Sequence, residues 1–236
     1  MSAAAPTANH PGRAPLGAII GLEPRALEAR AINDPDADVR TAALGTVLSR
    51  EGTASALHGP IAARLRDRKE TGDVRLLAAH ALGRARPLPV AALVEGLARW
   101  QGPGVRAAAA TSLIADQGVA AEAGEPLARC LLAGDATVRL QAVLALRGIG
   151  APAVPHVVKV VVEAEKFDIT RLSGLDALGL IGADAHGSLG LATRLSEDAP
   201  AKVQVCARFA AASIAGAAIE PEARGRDKRL ARAAEP

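Results

Sequence analysis

An arginine preceded by valine or threonine recurs at near-regular intervals, and this period constrains the fold more than any other feature. Successive arginines are 31 to 35 residues apart. They are Arg40, Arg75, Arg106, Arg139 and Arg171. Residues 135–150 show the full pattern: a polar start, apolar or small residues at helical spacing, and a closing glycine. A helical repeat of this length predicts a solenoid, because one unit cannot bury its apolar face without a neighbour.

Two stretches, 73–83 and 138–150, best match the pattern Asp-x-Val-Arg-x-x-Ala-x-x-Ala-Leu-Gly-x-Ile-Gly. This pattern resembles the second helix of a HEAT repeat, in the short form also found in phycobilin lyases. The resemblance covers roughly residues 24–217. It implies an all-α, right-handed α-solenoid of about six helical pairs. It implies little about function, because this architecture carries many unrelated activities.

The repeat pattern also predicts how the chain is organised. Residues 1–15 contain three prolines and are expected to form a disordered arm, 16–219 the solenoid, and 220–236 a charged tail. The dipeptide Gly59-Pro60 lies inside the first helix of the second pair and is expected to shorten or kink it. In the sixth pair Gln204 replaces the arginine, as expected for a terminal repeat that caps the stack.

The cysteines and the apolar segments bear on the compartment. Cys130 and Cys206 lie in helical patterns with no metal-type spacing around them, which predicts free, buried thiols in a reducing compartment. The N-terminus lacks the pattern of a signal peptide. The longest apolar run, 154–162, is interrupted by Lys159 and is too short to span a bilayer. The sequence therefore predicts a soluble, cytoplasmic protein without membrane contact.

The recurrent arginines favour a structural role. In HEAT-like proteins such arginines pair with aspartates of the preceding turn or of the next repeat, forming a ladder between layers. The resemblance implies a ladder of Arg40, Arg75, Arg139 and Arg171 with Asp38, Asp73, Asp135 and Asp168. In the third repeat Gly104 stands where the aspartate is expected, so of the five arginines Arg106 is the one most expected to be free.

The charge of the second helices suggests a binding face. The second helices of HEAT repeats line the concave side, and here, beyond the ladder, they carry more bases than acids. The bases are Arg50, Arg84, Arg86, Arg147, Lys202 and Arg208, and the acids are Asp116 and Asp176. A mildly basic concave face attracts an acidic protein surface or a phosphate backbone. It could equally be a solvated, arginine-rich surface.

From this charge distribution we predict a non-catalytic scaffold or adaptor that binds another protein with an acidic surface. The candidate contact residues are His80, Arg84, Arg106 and Arg147. The alternatives are a nucleic-acid-binding protein that uses the same arginines, and a phycobilin-lyase-like factor for a pigment protein.

The sequence gives little support for an enzymatic function. Deoxyhypusine hydroxylases, built from similar repeats, bind iron through His-Glu dipeptides, and none of the five histidines here precedes a glutamate. HEAT-like DNA glycosylases use aromatic side chains in a basic groove. The only aromatic residues of this chain are Trp100, Phe167 and Phe209. We therefore predict no catalytic residue, no metal and no cofactor.

Overall fold

The computed structural model describes residues 19, 21–28, 32–114, 121–164 and 169–216. These residues form helices joined by turns, and no strand occurs among them. The α-helices are α1 (Pro24–Leu27), α2 (Ala37–Ser49), α3 (Thr53–Ala56), α4 (His58–Arg66), α5 (Gly72–Arg84), α6 (Val90–Gly96), α7 (Pro103–Ile114), α8 (Gly124–Cys130), α9 (Ala136–Ile149), α10 (Val154–Glu163), α11 (Ile169–Ile181), α12 (Leu189–Asp198) and α13 (Ala201–Ile214). The predicted arm, the predicted tail and Asp168 lie outside the described residues.

The six second helices lie where the arginine period places them: α2, α5, α7, α9, α11 and α13. In each of them the residue at the valine position of the repeat is at most 4 % exposed. These residues are Val39, Val74, Val105, Val138, Thr170 and Val203. The helical periodicity and its register are therefore confirmed, and the chain is an α-helical repeat protein.

Short polar side chains begin several of these helices, and a glycine ends α9. Asp36, Thr71 and Asp135 each accept a hydrogen bond from a backbone N–H two or three residues later, at 2.8, 3.3 and 3.0 Å. Each cap satisfies an amide that the first helical turn leaves without a partner. Gly150 ends α9 with a φ of 71°, a backbone conformation that side chains with a Cβ disfavour.

The first helix of the second pair is interrupted, as Gly59-Pro60 predicted. It is divided at Leu57 into α3 and α4. Pro60 then lies in the first turn of α4, where its missing N–H costs no helical hydrogen bond. The dipeptide thus fixes where the second segment starts.

The chain forms two compact units, Met1–Glu95 and Gly96–Pro236, called unit 1 and unit 2 below. In unit 1, α5 packs against α2, α3 and α4. Leu44, Leu65 and Leu82, from three of these helices, are fully buried. Unit 1 thus has a core of its own.

In unit 2 the helices pack in two layers. The second-helix layer runs α7, α9, α11, α13, each helix packing on the next. In the first-helix layer α8 packs on α10, while α12 packs on its own second helix, α13. Leu127, Leu146 and Leu175 are fully buried in this core. Such stacking of consecutive helical pairs is the arrangement of an α-solenoid.

Candidate functional site

Arg40, the first arginine of the predicted ladder, forms a buried ion pair. Its Nε and Nη2 donate to the two carboxylate oxygens of Glu70 at 2.8 and 2.7 Å, and Nη1 donates to the Asp34 carbonyl at 2.5 Å. Glu70 lies in the turn before α5, and its side chain is 1 % exposed. The pair therefore joins two successive helical pairs, through a glutamate that the sequence interpretation did not single out.

The environment of Glu70 favours its charged form. Burial alone acts to raise the pKa of this carboxyl. Hydrogen bonds from Arg40 and the Thr71 N–H, together with the charges of Arg40 and Arg64, outweigh burial and hold the pKa below its usual value. The ionised carboxylate is thus part of the folded structure.

Arg139 and Arg171 bind main-chain carbonyls. Arg139 Nη1 donates to the carbonyls of Ala133 and Gly134 at 2.7 and 2.8 Å. Arg171 donates from Nε to the Val161 carbonyl at 3.1 Å and from Nη2 to that of Ala164. These oxygens lie at or just beyond the ends of α8 and α10, where helical carbonyls lack internal partners. Arg139 thus holds the turn that follows α8, and Arg171 caps the C-terminal end of α10.

The predicted aspartates lie at the starts of second helices. Asp135 caps α9 by accepting from the Val138 N–H. Asp38 and Asp73 lie in the first turns of α2 and α5, where negative charge is favourable. Arg75 is half-buried on α5. These positions suit the predicted structural role, and the full arginine–aspartate ladder stays a prediction.

Arg106 is not free, and that expectation is wrong. It is half-buried, and its Nε donates to the Leu97 carbonyl at 3.2 Å. Its Nη2 lies 3.5 Å from the Sγ of Cys130. Gly104 stands where other repeats have an aspartate, but this does not leave the Arg106 guanidinium without a partner. The Leu97 carbonyl, just beyond the end of α6, accepts a hydrogen bond from it.

The other three candidate contact residues are exposed. In unit 1, His80 and Arg84 lie one turn apart on α5, and Arg84 donates to the Leu48 carbonyl of α2. In unit 2, Arg147 is exposed on α9. The guanidinium of Arg147 has no hydrogen bond or ion pair to another residue of the described part of the chain. It is therefore available to a partner.

Unit 2 has an apolar surface on its second helices that the sequence interpretation missed. Leu140 on α9 is 55 % exposed, and Val205 and Phe209 on α13 are 59 % and 37 % exposed. The apolar face is defined here by the residues at the same outward register positions of three neighbouring helices. They are Leu140, Leu144 and Arg147 on α9, Leu172 and Asp176 on α11, and Val205 and Phe209 on α13.

The sequence contained a signal for this face. Leu140, Leu172 and Val205 each follow the arginine position by one residue, where the first and third repeats have Thr41 and Ala107. A large apolar residue at an outward position in three successive repeats differs from the core pattern. It becomes visible only when the repeats are compared position by position.

Phe209 is placed on this face by a glycine. A Cβ built on Gly179 of α11 would lie 2.9 Å from Cε1 of Phe209 and 3.2 Å from the Cα of Ala210. The first distance would force the ring to shift, and the second is tighter than most contacts that a Cβ makes. Gly179 thus lets α13 approach α11 closely and lets the aromatic ring lie across it.

Asp176 is a carboxylate within the apolar surroundings of this face. Desolvation raises the pKa of its carboxyl, and a hydrogen bond from the Cys206 thiol opposes that shift only in part. Burial, followed by the charge and hydrogen bond of Asp176, raises the pKa of Cys206. The two side chains link α11 to α13 through a neutral thiol and a partly desolvated carboxylate.

Two further bases of the second helices, Lys202 and Arg208, are exposed on α13, and Lys202 lies three residues before Val205 on the same side of the helix. Arg208 occupies the register position at which Val143 and Leu175 are buried in the preceding helices, and it donates to Gln204 at 3.1 Å. Polar residues at that position suit the last helix of a stack. The exposed cations of α9 and α13 are therefore Arg147, Lys202 and Arg208, and Asp176 is the exposed acid of α11.

Within the described ranges no group of three or more His, Cys, Asp or Glu side chains is placed to hold a metal ion. No helix there is long and apolar enough to cross a membrane.

Comparisons with known proteins give similarity in structure alone. No protein-family model matches the sequence, and no curated protein shows significant similarity to it. Among solved structures, an engineered protein is similar at 19 % identity and a TM-score of 0.49, over 80 % of this chain and 96 % of its own. A designed armadillo repeat protein in complex with the peptide (KR)4 is similar at 17 % identity and a TM-score of 0.49, over 81 % and 98 %.

Proposed function

We propose that this protein is a cytoplasmic, non-catalytic scaffold that binds a protein partner on the apolar face of unit 2. The observation that carries the proposal is the exposure of Leu140 on α9 and of Val205 and Phe209 on α13, the two helices that pack on either side of α11. Large exposed apolar patches are uncommon on proteins that act alone, and they are typical of interaction sites.

The composition of the face suits a protein partner better than a small polar ligand. Leucine, valine and phenylalanine provide the apolar centre, and aromatic residues contribute strongly to binding energy at interfaces. Stacked repeats provide a rigid support, so little conformational entropy is lost when the face is covered. The repeat architecture thus presents a preformed surface.

The proposal of a partner with an acidic surface rests on the arginines. Arg147 on α9 and Lys202 and Arg208 on α13 are the exposed cations that can meet a carboxylate. In unit 1, His80 and Arg84 offer a second, separate basic position. Reversal of the charge at Arg147 should weaken the binding of such a partner. The same change at Arg84 tests whether unit 1 contributes to that binding.

Nucleic acid is the alternative partner. Binding to a phosphate backbone requires several cations and weakens steeply with added salt. The exposed cations Arg147, Lys202 and Arg208 lie beside exposed leucine, valine and phenylalanine, and Asp176 shares their surface. This mixed, largely apolar composition supports a protein partner over nucleic acid. A phycobilin-lyase-like role predicts a change in visible absorption when a bilin is added.

The test compares two valines of equal exposure. Val205 on α13 and Val162 on α10 are both 59 % exposed, but Val162 lies in the first-helix layer. Val205→Asp should abolish co-purification of a stoichiometric protein partner from nuclease-treated host extract, whereas Val162→Asp should preserve it. Circular dichroism verifies the fold of both variants. Equal retention of the partner by both variants would contradict the proposal.

A further inference from the structure

Two exposed bases flank the apolar side chains of α13. Lys202 lies in the first turn, three residues before Val205, and Arg208 lies three residues after it. At about 100° per residue, Arg208 falls on one side of Val205 and Phe209 on the other, which is the side that meets Gly179 of α11. The apolar stripe of α13 therefore has one cation at its N-terminal end and another along the edge away from α11.

The third exposed base lies on the far side of the apolar face. Arg147 is in the last turn of α9, one edge of the face, seven residues after Leu140. Asp176 on α11 is the exposed acid between α9 and α13. Two other acids, Asp135 and Asp198, lie in the turn before α9 and at the end of α12, outside the face. The face thus has three bases around its edges and one acid near its centre.

The apolar face is small for an interface between two folded proteins. About seven residues of helix, the separation of Leu140 and Arg147, are about 10 Å long. Packed helices lie about 8–10 Å apart, so roughly 20 Å separate α9 from α13. A patch of about 200 Å² is well below the roughly 800 Å² that each folded partner buries in a standard complex. About six residues of extended chain span the distance between α9 and α13, so a short segment can cover the face.

We infer that the partner binds this face through a short segment in which acidic side chains flank large apolar ones and no acid occupies the centre. Its apolar side chains lie against Leu140, Val205 and Phe209, as in the apolar centre of other interfaces. Its carboxylates meet the bases at the edges, where complementary charges fix the register of binding. This inference rests on the proposed function, since it uses the same face.

Asp176 favours such a segment over a uniformly charged ligand. A phosphate backbone or an anionic lipid surface carries negative charge throughout, so it places an anion beside Asp176 when it meets the bases at the edges. Like charges brought together at an interface are strongly unfavourable. Asp176 is also partly desolvated, with the Cys206 thiol as its hydrogen-bond donor. A segment that is uncharged at its centre avoids this contact.

The first experiment selects binding segments from a phage library of random peptides about 12 residues long, about twice the length that the face requires. The immobilised full chain captures peptides, and prior passage over the Val205→Asp variant removes those that bind elsewhere. Enriched peptides should carry aspartate or glutamate on both sides of leucine, isoleucine, valine or phenylalanine. Enrichment of basic or uncharged peptides, or no enrichment, would overturn the inference.

Matched variants then measure the role of the bases, with the most enriched peptide as the probe in fluorescence anisotropy. Lys202→Glu and Arg208→Glu should each weaken binding by about tenfold or more, because they bring like charges together. Lys159→Glu on α10 and Arg194→Glu on α12 make the same changes at exposed positions of the first helices. These two controls should leave binding unchanged. Circular dichroism verifies the fold of each variant, and equal losses in all four would overturn the inference.

A change at the centre of the peptide tests the role of Asp176. The selected peptide is made with aspartate or with asparagine at its central position, so that the two forms differ in charge and hardly in shape. The wild type should bind the aspartate form more weakly, and Asp176→Asn should reduce the difference, because it removes one of the two like charges. A difference that Asp176→Asn leaves unchanged would contradict the assigned role.

The outcomes distinguish this inference from the proposed function. If Val205→Asp abolishes co-purification of the host partner but Lys202→Glu and Arg208→Glu retain it, the inference fails and the proposed function stands. If the selected peptides bind Val205→Asp as well as the wild type, both fail. Binding to phosphatidylglycerol vesicles that requires Val205, without any enriched peptide, would replace the segment by a lipid surface.

Discussion

Arg40 binds Glu70 through two parallel hydrogen bonds, from Nε at 2.8 Å and from Nη2 at 2.7 Å, across the boundary between the first and second helical pairs. A bidentate pair of this kind fixes orientation as well as distance. Because the carboxylate is buried, it depends on the guanidinium for the interactions that water would otherwise supply. The pair thereby fixes the position of one helical pair on the next in unit 1.

Glu70→Gln should destabilise unit 1 by about 3 kcal/mol at neutral pH, because it leaves the Arg40 guanidinium buried without its counter-charge. The lowered pKa of Glu70 contributes stability that is complete above the pKa of the unfolded carboxyl and is lost as the pH falls through the lowered value. The difference between wild type and variant should therefore shrink towards low pH. Chemical denaturation over a pH series measures it.

The control for Glu70 is Glu95→Gln in the same unit. Glu95 pairs with Arg66, and both side chains are 48 % exposed. Exposed ion pairs contribute about 0–1 kcal/mol, so this variant should remain close to wild type. Equal losses in the two variants would show that burial of the Arg40–Glu70 pair is not what makes it stabilising.

Gly179→Ala should destabilise unit 2 by about 1–3 kcal/mol, because the added methyl group collides with the Phe209 ring and with the backbone at Ala210. The matched substitution is Gly148→Ala in α9, where a Cβ meets nothing within 4 Å. There alanine should stabilise by about 0.5–1 kcal/mol through its helix propensity. Thermal unfolding of the two variants should therefore shift in opposite directions, and a shift in the same direction would contradict the packing described.

Asp176→Asn should raise the stability of the monomer at neutral pH, since the partly desolvated charge is a cost in the folded state. A carboxyl whose pKa is raised on folding reduces stability as the pH rises through the folded value, and the cost persists above it. Below the ordinary pKa of the carboxyl the advantage of asparagine should vanish. Unfolding measured at low protein concentration checks this, and an advantage constant with pH would refute the assigned cause.

The fold was predictable because the same sequence pattern occurs several times along the chain. A buried valine or threonine before the arginine position, and a polar residue at the start of the helix, recur with the period. Such local signals determine helix position and core face together. Even the interruption beside Gly59-Pro60 followed from backbone restrictions that a sequence displays directly.

The site was less predictable, because side-chain partners depend on where turns place their carbonyls and carboxylates. No aspartate precedes Arg106 at the position expected from the repeat, and yet its Nε donates to the Leu97 carbonyl. Glu70 lies five residues before Arg75 and meets Arg40 of the preceding repeat. A count of bases and acids along the second helices also treated Arg147 and Arg208 alike, although they lie at different register positions.

Photo-crosslinking from position 205 tests the central claim, that the apolar face of unit 2 is a protein-binding surface. A photoreactive phenylalanine analogue replaces Val205 in one variant and the equally exposed Val162 in the other. We expect a discrete protein adduct from position 205 and none from position 162, and mass spectrometry then identifies it as a second copy of this chain or as a different protein. Absence of any adduct from position 205, or equal adducts from both positions, would contradict the account.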